Sequence, residues 1–269
     1  MCRMVGWASA TPVTMRELLG DAAIERLLAL ATVHRHGWGA AWWEGSRFGV
    51  RRSPVGAAED PGFLELADTV SARSAIVHLR MGTPGYGRGV VDNHPFADGT
   101  WAMIHNGAVA PAAHVGKLLA PDSRRNPRGS TDSERWFLAL RDELDRGSSV
   151  PDAVAAVVER VRTVGLHASS WNSMLLGPRA LHVISHHDPA LLPVDVKLWP
   201  DLYPEDLVCW PPYFDLRVRT SEGVSVVISS GIVDDATDWT LLPNKSVLRL
   251  PFAGAPAELA EVGTIRTAS

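Results

Sequence analysis

Residues 1–8 of the chain read MCRMVGWA, and the interpretation of the fold starts from them. The apolar run over residues 3–8 predicts a short strand, directly preceded by Cys2. Because cysteine is a small residue, Met1 in front of it is commonly removed, which leaves Cys2 with a thiol and a free α-amino group. An α-amino group has an unperturbed pKa of about 7.7–8.0, so it can act as the base for the thiol of the same residue.

The pattern of apolar residues along the chain predicts strands, then a helix pair, then strands again. The predicted strands cover residues 3–8, 37–43, 48–52, 74–80, 100–105, 171–176, 180–185, 216–220, 224–229 and 246–250, and the predicted helices cover 15–33, 61–71, 132–146 and 151–164. Strands and helices do not alternate regularly, which indicates antiparallel sheets packed face to face with helices outside. We therefore expect an α+β fold built as a layered sandwich.

The composition excludes several classes of partner. The chain has 269 residues, 46% of them hydrophobic, and a net charge of −4, so it lacks the basic footprint that nucleic acid requires. Its longest aliphatic runs, such as residues 27–33, are much shorter than the ~18–20 residues of a membrane span, and no secretory signal is recognisable at the N-terminus. We expect a cytoplasmic protein without a nucleic-acid or membrane partner.

The cysteines and histidines predict neither a disulfide framework nor a metal site. There are two cysteines, and Cys209 lies among apolar residues where a buried, unreactive side chain is expected. Ten histidines include His34, His36 and the pair at 186–187, but no helical pair of metal-ligand spacing or carboxylate set accompanies them. We expect no metal and no cofactor.

A short motif, His105-Asn106-Gly107, follows one of the predicted apolar strands. Asn-Gly is favoured in tight hairpin turns, and a turn is the simpler interpretation of the pair on its own. The alternative is an oxyanion hole, in which the Asn106 amide and the Gly107 N–H point at a developing negative charge.

Two charged residues lie at the ends of predicted elements. Arg80 closes the strand over residues 74–80, where a planar guanidinium can hold a carboxylate bidentately, although a solvated arginine is the simpler interpretation. Asp132 lies in the first turn of a predicted helix, between Thr131 and Glu134, which have the spacing of a capping box. It is either an ordinary first-turn acid or a partner for a substrate ammonium.

These motifs occur together and in order: MCR at 1–3, HGWG at 36–39, HLRMGT at 78–83, NHPF at 93–96, HNG at 105–107 and STDSE at 130–134. The set resembles the class II glutamine amidotransferases, which are N-terminal-nucleophile hydrolases. The resemblance is strongest over residues 2 to about 140, and the strands after it are similar to those of compact stand-alone members, such as the γ-glutamyl hydrolase of ergothioneine biosynthesis. It implies a four-layer αββα sandwich of two mostly antiparallel sheets, and one domain over residues 2–269.

The resemblance also implies roles for individual residues. Cys2 is expected to attack the γ-carboxamide of glutamine or another γ-glutamyl compound, with Asn106 and Gly107 as the oxyanion hole. Arg80, with Thr83 beside it, would hold the substrate α-carboxylate, and Asp132 the α-ammonium group. Ammonia or an amine leaves, and water resolves the thioester.

The chain departs from the family pattern at two points. Many relatives have Ser-Glu where this chain has Ser229-Ser230-Gly231, so the role of that glutamate is in doubt here. Large relatives also carry a synthase domain, for which 269 residues leave no room, so ammonia would pass to a separate synthase or simply be released. Trp199, Trp210 and Trp239 either cover the pocket or fill a core, and the core is the simpler interpretation.

Three functions stay open from the sequence: a glutaminase or amidotransferase, a specialised γ-glutamyl amide hydrolase, and a catalytically silent module that binds an amino acid. A silent module needs Arg80 and Asp132 but neither the thiol of Cys2 nor oxyanion donors. The intact set therefore favours an enzyme.

Overall fold

Two antiparallel sheets, stacked on each other, form the centre of the computed structural model. The structure describes residues 2–83, 85–188, 190, 212–233, 237–252 and 256–262. The helices in this part are α1 (Met15–Leu19), α2 (Asp21–Ala31), α3 (Pro61–Thr69), α4 (Asp132–Asp145) and α5 (Val150–Thr163), with short 3₁₀ helices at Val90–Asp92 and Ala112–Leu118.

The strands are β1 (Arg3–Val13), β2 (Trp38–Trp43), β3 (Phe48–Ser53), β4 (Ala72–Leu79), β5 (Phe96–Ala97), β6 (Ala102–Asn106), β7 (Val109–Ala110), β8 (His167–Ala168), β9 (Asn172–Leu176), β10 (Ala180–Ser185), β11 (Leu216–Ser221), β12 (Val224–Ser229), β13 (Thr240–Leu241), β14 (Ser246–Pro251) and β15 (Glu258–Glu261). The first sheet has the order β13-β11-β12-β1-β4-β2-β3 and the second β15-β14-β10-β9-β6-β5, while β7 and β8 form a separate pair. β1 and β6, which carry the motifs of most interest, therefore lie in different sheets.

Three apolar clusters separate four layers. One packs α1, α2 and α3 on the outer face of the first sheet, with Trp7, Leu27 and Phe63 at its centre. A second packs α4 and α5 on the outer face of the second sheet. A third lies between the sheets, where Met4 and Met174 are completely buried. This confirms the expected αββα sandwich.

The sheets approach closely at Gly6 in β1. A Cβ atom built on Gly6 would lie 2.7 Å from Sδ of Met174 and 3.1 Å from Cδ2 of Leu181, both in the second sheet. Carbon and sulfur atoms at van der Waals contact are about 3.5–4.0 Å apart, so only glycine fits at this point of β1. The N-terminal strand is thus pressed directly against the other sheet.

The single helix predicted over residues 15–33 is wrong, because the chain breaks at Gly20. Gly20 has a φ of +81°, in the left-handed region that favours glycine, and it ends α1 and precedes α2. The apolar spacing continues across the break, since Met15, Ile24 and Leu27 all reach one core. Periodicity alone therefore did not reveal the interruption.

The remaining sequence predictions for the core are confirmed where the structure describes the residues. Trp239 is buried in the cluster between the first sheet and its helices, as the core interpretation expects. Trp199, Trp210 and Cys209 lie outside the described residues. Among the described helices, none has the length and apolar character needed to cross a bilayer.

Several histidines, three of them buried and His182 half-buried, have pKa values low enough to keep them neutral near pH 7. Burial lowers the pKa of His78 to about 3 and that of His182 to about 4, and it holds the pKa values of His34 and His94 well below 6.5. Between these values and 6.5 the unfolded chain binds more protons than the folded chain, so the free energy of unfolding must decrease as the pH falls.

We predict that the free energy of unfolding, measured by urea denaturation, decreases from about pH 7.5 to about pH 5. Each histidine with such a lowered pKa contributes at most about 1.4 kcal/mol per pH unit below 6.5. His182→Gln should reduce this slope, because it removes one such proton, whereas His114→Gln, at an exposed position, should leave it unchanged. Equal stability at both pH values would contradict the assignment of neutral buried histidines.

Candidate active site

The Cys2 thiol lies where the two sheets meet. Cys2 is 6% exposed, and its backbone N–H donates a hydrogen bond of 2.9 Å to Oδ1 of Asn106, at the end of β6 in the other sheet. Its Sγ lies 3.7 Å from the carbonyl oxygen of Met81, just beyond β4. The following residues are fixed as β1, which pairs with both β4 and β12. The thiol is therefore held by groups from both sheets.

Asn106 and Gly107 lie at the end of β6, where Asn106 accepts the hydrogen bond from Cys2 and Gly107 lines one cavity with Cys2. Asn106 is 1% exposed, and its Nδ2 is buried without a hydrogen-bond partner in the described part of the chain. A Cβ atom on Gly107 would collide with the carbonyl oxygen of Ser170, so glycine is required there. The hairpin-turn alternative is wrong: β6 and β7 do not pair with each other, and Gly107 does not have a positive φ. The backbone instead passes close to β9 and the residues before it.

Arg80 follows β4 directly and is 3% exposed. Its backbone N–H donates to the Gly37 carbonyl at 2.9 Å, and its Nη2 donates to the Gly87 carbonyl at 2.7 Å. Among the described residues its Nη1 has no partner. Burial lowers the pKa of Arg80, while the negative charges of Asp92 and Asp132 act in the opposite direction. One edge of the guanidinium is thus fixed and one nitrogen is available.

Asp132 is the first residue of α4 and is also 3% exposed. Its Oδ2 accepts from the N–H of Val109 at 2.7 Å, and its Oδ1 from the N–H of Ser133 at 2.8 Å. Burial raises the pKa of Asp132, and the nearby His105 and these hydrogen bonds counteract the rise. The carboxylate is therefore fixed in place by backbone donors.

The capping box expected at this helix start is half present. The Thr131 hydroxyl accepts from the N–H of Glu134 at 3.2 Å, as predicted. The Glu134 carboxylate accepts instead from the N–H groups of Arg128 and Gly129, at 2.8 and 2.7 Å. Glu134 thus orders the preceding loop and not the helix end itself.

One narrow cavity connects these groups. It has a volume of about 20 Å³, little more than one water molecule needs, and five of the six residues predicted from the sequence line it: Cys2, Arg80, Thr83, Gly107 and Asp132. The sixth, Asn106, reaches it through its hydrogen bond to Cys2. The structure therefore brings together residues that are up to 130 positions apart in the sequence.

The cavity also contains residues to which sequence reasoning assigned no role. His105 is held by the Ser133 hydroxyl at its Nδ1 (2.9 Å) and by the Ser170 carbonyl at its Nε2 (3.0 Å). The Tyr86 hydroxyl donates to the Val109 carbonyl at 3.0 Å, and the ring lines the cavity. His94 and His105 belong to the quoted motifs, which was the available signal, whereas nothing in the sequence singled out Tyr86.

A chain of hydrogen bonds ties the loop after β4 to the loop before α4. The Gly87 N–H donates to the Ser130 hydroxyl at 2.7 Å, and the Ser130 N–H donates to Oδ1 of Asp92 at 2.8 Å. Asp92 is 5% exposed. Because the Gly87 carbonyl also holds Arg80, this network fixes the guanidinium relative to both loops.

At Ser229 and Ser230, where the chain departs from the expected Ser-Glu, both hydroxyl groups form hydrogen bonds with backbone groups. Ser229 Oγ accepts from the Met4 N–H at 3.0 Å, and Ser230 Oγ donates to the Tyr213 carbonyl at 3.1 Å. The guanidinium of Arg3 stacks over the Tyr213 ring, 4.2 Å from its centroid. Elsewhere, no group of three or more His, Cys, Asp or Glu side chains within the described ranges is arranged to hold a metal ion.

The chain is similar to known proteins in sequence and in fold. Residues 1–189 match the model of the family described as glutamine amidotransferases class-II. A curated relative from Mycobacterium tuberculosis H37Rv, named gamma-glutamyl-hercynylcysteine sulfoxide hydrolase, is 28% identical over 116 residues, which are 40% of this chain and 50% of that protein. The chain thus matches only about half the length of this curated relative.

Two solved structures have the same fold. A glutamine aminotransferase class-II domain protein from Silicibacter pomeroyi superposes with a TM-score of 0.61 at 18% identity, over 97% of this chain and 99% of that one. The glutamine phosphoribosylpyrophosphate amidotransferase of B. subtilis gives a TM-score of 0.62 at 15% identity, over 97% of this chain and 49% of that one. With a family model that covers well over half of its residues, this chain belongs to the class II glutamine amidotransferases.

Proposed function

We propose that the chain hydrolyses a γ-glutamyl carboxamide through a thioester on Cys2. Removal of Met1 exposes the α-amino group of Cys2, which takes the thiol proton as Sγ attacks the γ-carbonyl carbon. The resulting ammonium returns that proton to the nitrogen of the leaving group, the C–N bond breaks, and ammonia or an amine departs. Water then attacks the thioester, giving a γ-carboxylate and restoring the thiol.

The observation that carries this proposal is the hydrogen bond from Cys2 N to Oδ1 of Asn106. It commits the amide oxygen of Asn106 to the nitrogen of Cys2 and leaves the buried Nδ2 without a partner in the described structure. A buried donor without a partner is costly, by about 1–3 kcal/mol, so its presence beside a nucleophile favours a catalytic use. We assign Asn106 Nδ2 and the N–H of Gly107 to the oxyanion that forms on the γ-carbonyl.

Two buried charges support an α-amino acid head group. We assign Nη1 of Arg80 to the substrate α-carboxylate, with the Thr83 hydroxyl beside it, and the carboxylate of Asp132 to the α-ammonium. Arg80 and Asp132 each carry the charge opposite to that of the substrate group assigned to them. Both side chains are fixed by hydrogen bonds before a substrate arrives. The γ-acyl arm is then aimed at Cys2.

The second candidate is a specialised hydrolase that acts on a larger γ-glutamyl amide. The observation that favours it is the similarity to the relative named for γ-glutamyl-hercynylcysteine sulfoxide. Both candidates use the same residues and differ in the leaving group. A catalytically silent amino-acid-binding module is the third alternative, and the donors beside the thiol argue against it.

The proposal also covers the domain organisation, the location and the fate of the ammonia. Residues 2–269 act as one amidotransferase domain, and the protein works in the cytoplasm. Ammonia is either released or passed to a separate synthase.

We predict that Cys2→Ala abolishes hydrolysis of glutamine and of other γ-glutamyl amides while the far-ultraviolet circular dichroism stays unchanged. The wild-type protein should lack Met1 and gain one adduct on Cys2 with a glutamine-like diazoketone, as measured by intact mass and peptide mapping. Hydrolysis by the Cys2→Ala protein at the wild-type rate would refute the mechanism. Retained Met1 without an adduct would favour the silent module.

Asn106→Asp keeps the oxygen that accepts from Cys2 but removes the proposed oxyanion donor. We predict a decrease in kcat of about 10²–10³-fold with a small change in KM, because the donor acts on charge that develops in the transition state. Asn126→Asp, at an exposed position, introduces the same charge and serves as the control. A large rise in KM at constant kcat would place Asn106 in ground-state binding instead.

Arg80→Gln tests the carboxylate site. We predict a decrease in kcat/KM of about 10- to 100-fold, mainly through KM, because a hydrogen bond between two charged groups is lost. A γ-amide that lacks the α-carboxylate should be an equally poor substrate for both proteins. If the variant still discriminated between the two substrates as strongly as the wild type, Arg80 would not be the carboxylate partner.

A further inference from the structure

A second and much larger cavity lies beside β3 and the loop before α4. Its volume is about 640 Å³, and none of its lining residues lines the Cys2 cavity. Four arginines line it: Arg52 from β3, and Arg124, Arg125 and Arg128 from the loop. A concave surface with this many guanidinium groups has the composition of an anion site.

The acidic residues in this cavity already have partners. Oδ2 of Asp98 accepts from Nε of Arg141 at 2.7 Å, and Arg125 forms ion pairs with Asp98, Asp142 and Asp145. Both oxygens of Glu134 accept from backbone N–H groups. The charge of Arg125 is therefore balanced by ion pairs. Within the described residues, Arg52, Arg124 and Arg128 form no ion pair, and Glu134 is the nearby carboxylate whose charge acts on Arg52.

The remaining three guanidinium groups have free donors. Arg52 uses its Nε to donate to the Pro95 carbonyl at 2.8 Å, and in the described structure its two terminal nitrogens form no hydrogen bond. The side chains of Arg124 and Arg128 form no hydrogen bond or ion pair with any described residue. Burial lowers the pKa of Arg52, and the charge of Arg128 lowers it further, as expected for two cations that face one space, while the negative charge of Glu134 acts in the opposite direction.

We propose that Arg52, Arg124 and Arg128 bind the phosphate group of a small molecule in this cavity. Among the lining residues, Asp98 is ion-paired and Glu134 supplies one further carboxylate, so Arg52, Arg124 and Arg128 leave an excess of positive charge. This excess matches a phosphate dianion better than a single carboxylate, and each guanidinium presents a planar pair of N–H donors. The concave shape and the overall net charge of −4 fit a small ligand and not a nucleic acid backbone.

The test is isothermal titration calorimetry with inorganic phosphate at constant ionic strength, with succinate as the dicarboxylate probe. The variant is the double substitution Arg124→Gln and Arg128→Gln, which changes two exposed side chains and leaves the backbone contacts of Glu134 in place. The control variant is Arg47→Gln with Arg73→Gln, which removes the same charge from exposed positions outside the cavity.

We expect phosphate to bind the wild type and the control variant equally, and to bind the double variant about tenfold more weakly or worse. The Cys2→Ala protein should bind phosphate like the wild type, so the outcome is independent of the proposed hydrolysis. If the control variant bound phosphate as weakly as the double variant, the loss of net charge alone would explain the effect, and the proposal would be overturned. Succinate binding as tight as phosphate binding would overturn the assignment to phosphate.

Discussion

The hydrogen bond between Cys2 N and Oδ1 of Asn106 is the contact on which the site depends. It joins residues 104 positions apart, one before the first strand of one sheet and one at the end of a strand of the other. The close approach of the sheets at Gly6 fixes the distance between β1 and the second sheet. Cys2 can therefore lie beside the Asn106 amide only when the two sheets are packed correctly on each other. The geometry around the thiol thus depends on the whole sandwich.

The electrostatics of the site follow from burial. Arg80 and Asp132 are both almost completely buried, and charged groups in such positions are costly unless the protein supplies partners. The carbonyl of Gly87 and the N–H groups of Val109 and Ser133 supply them. The same bonds orient the charged groups, so the interactions that make their burial tolerable also aim them at one cavity.

Much of this structure could be predicted from the sequence, because the decisive signals are local. The strand and helix order follows from apolar periodicity, and the motifs at Cys2, Arg80, Asn106 and Asp132 all lie at element ends. The break at Gly20 escaped prediction because the apolar spacing continues through it.

Other features depend on contacts between distant segments. Glu134 has the spacing of a capping box, yet it bonds to the backbone of Arg128 and Gly129 because the loop folds over the helix start. Tyr86 is held at the cavity by a hydrogen bond to the Val109 carbonyl, and no local sequence pattern predicts this contact. The cavity proposed to bind phosphate is likewise lined by β3 and by a loop about 70 residues later in the sequence.

The small size of the Cys2 cavity has a consequence for ligand affinity. The γ-glutamyl group that we propose as the substrate is larger than this water-sized space, so on that proposal the lining separates before the substrate enters. The residues after β4, Met81 to Thr83, and the start of α4, with Thr131 and Asp132, both line this space. When only a fraction of molecules is open, the apparent dissociation constant rises by the inverse of that fraction, about a hundredfold for one molecule in a hundred. The bond between Gly87 and Ser130 therefore acts in two opposed ways, because it joins the loops around the cavity and also supports the Gly87 carbonyl that orients Arg80.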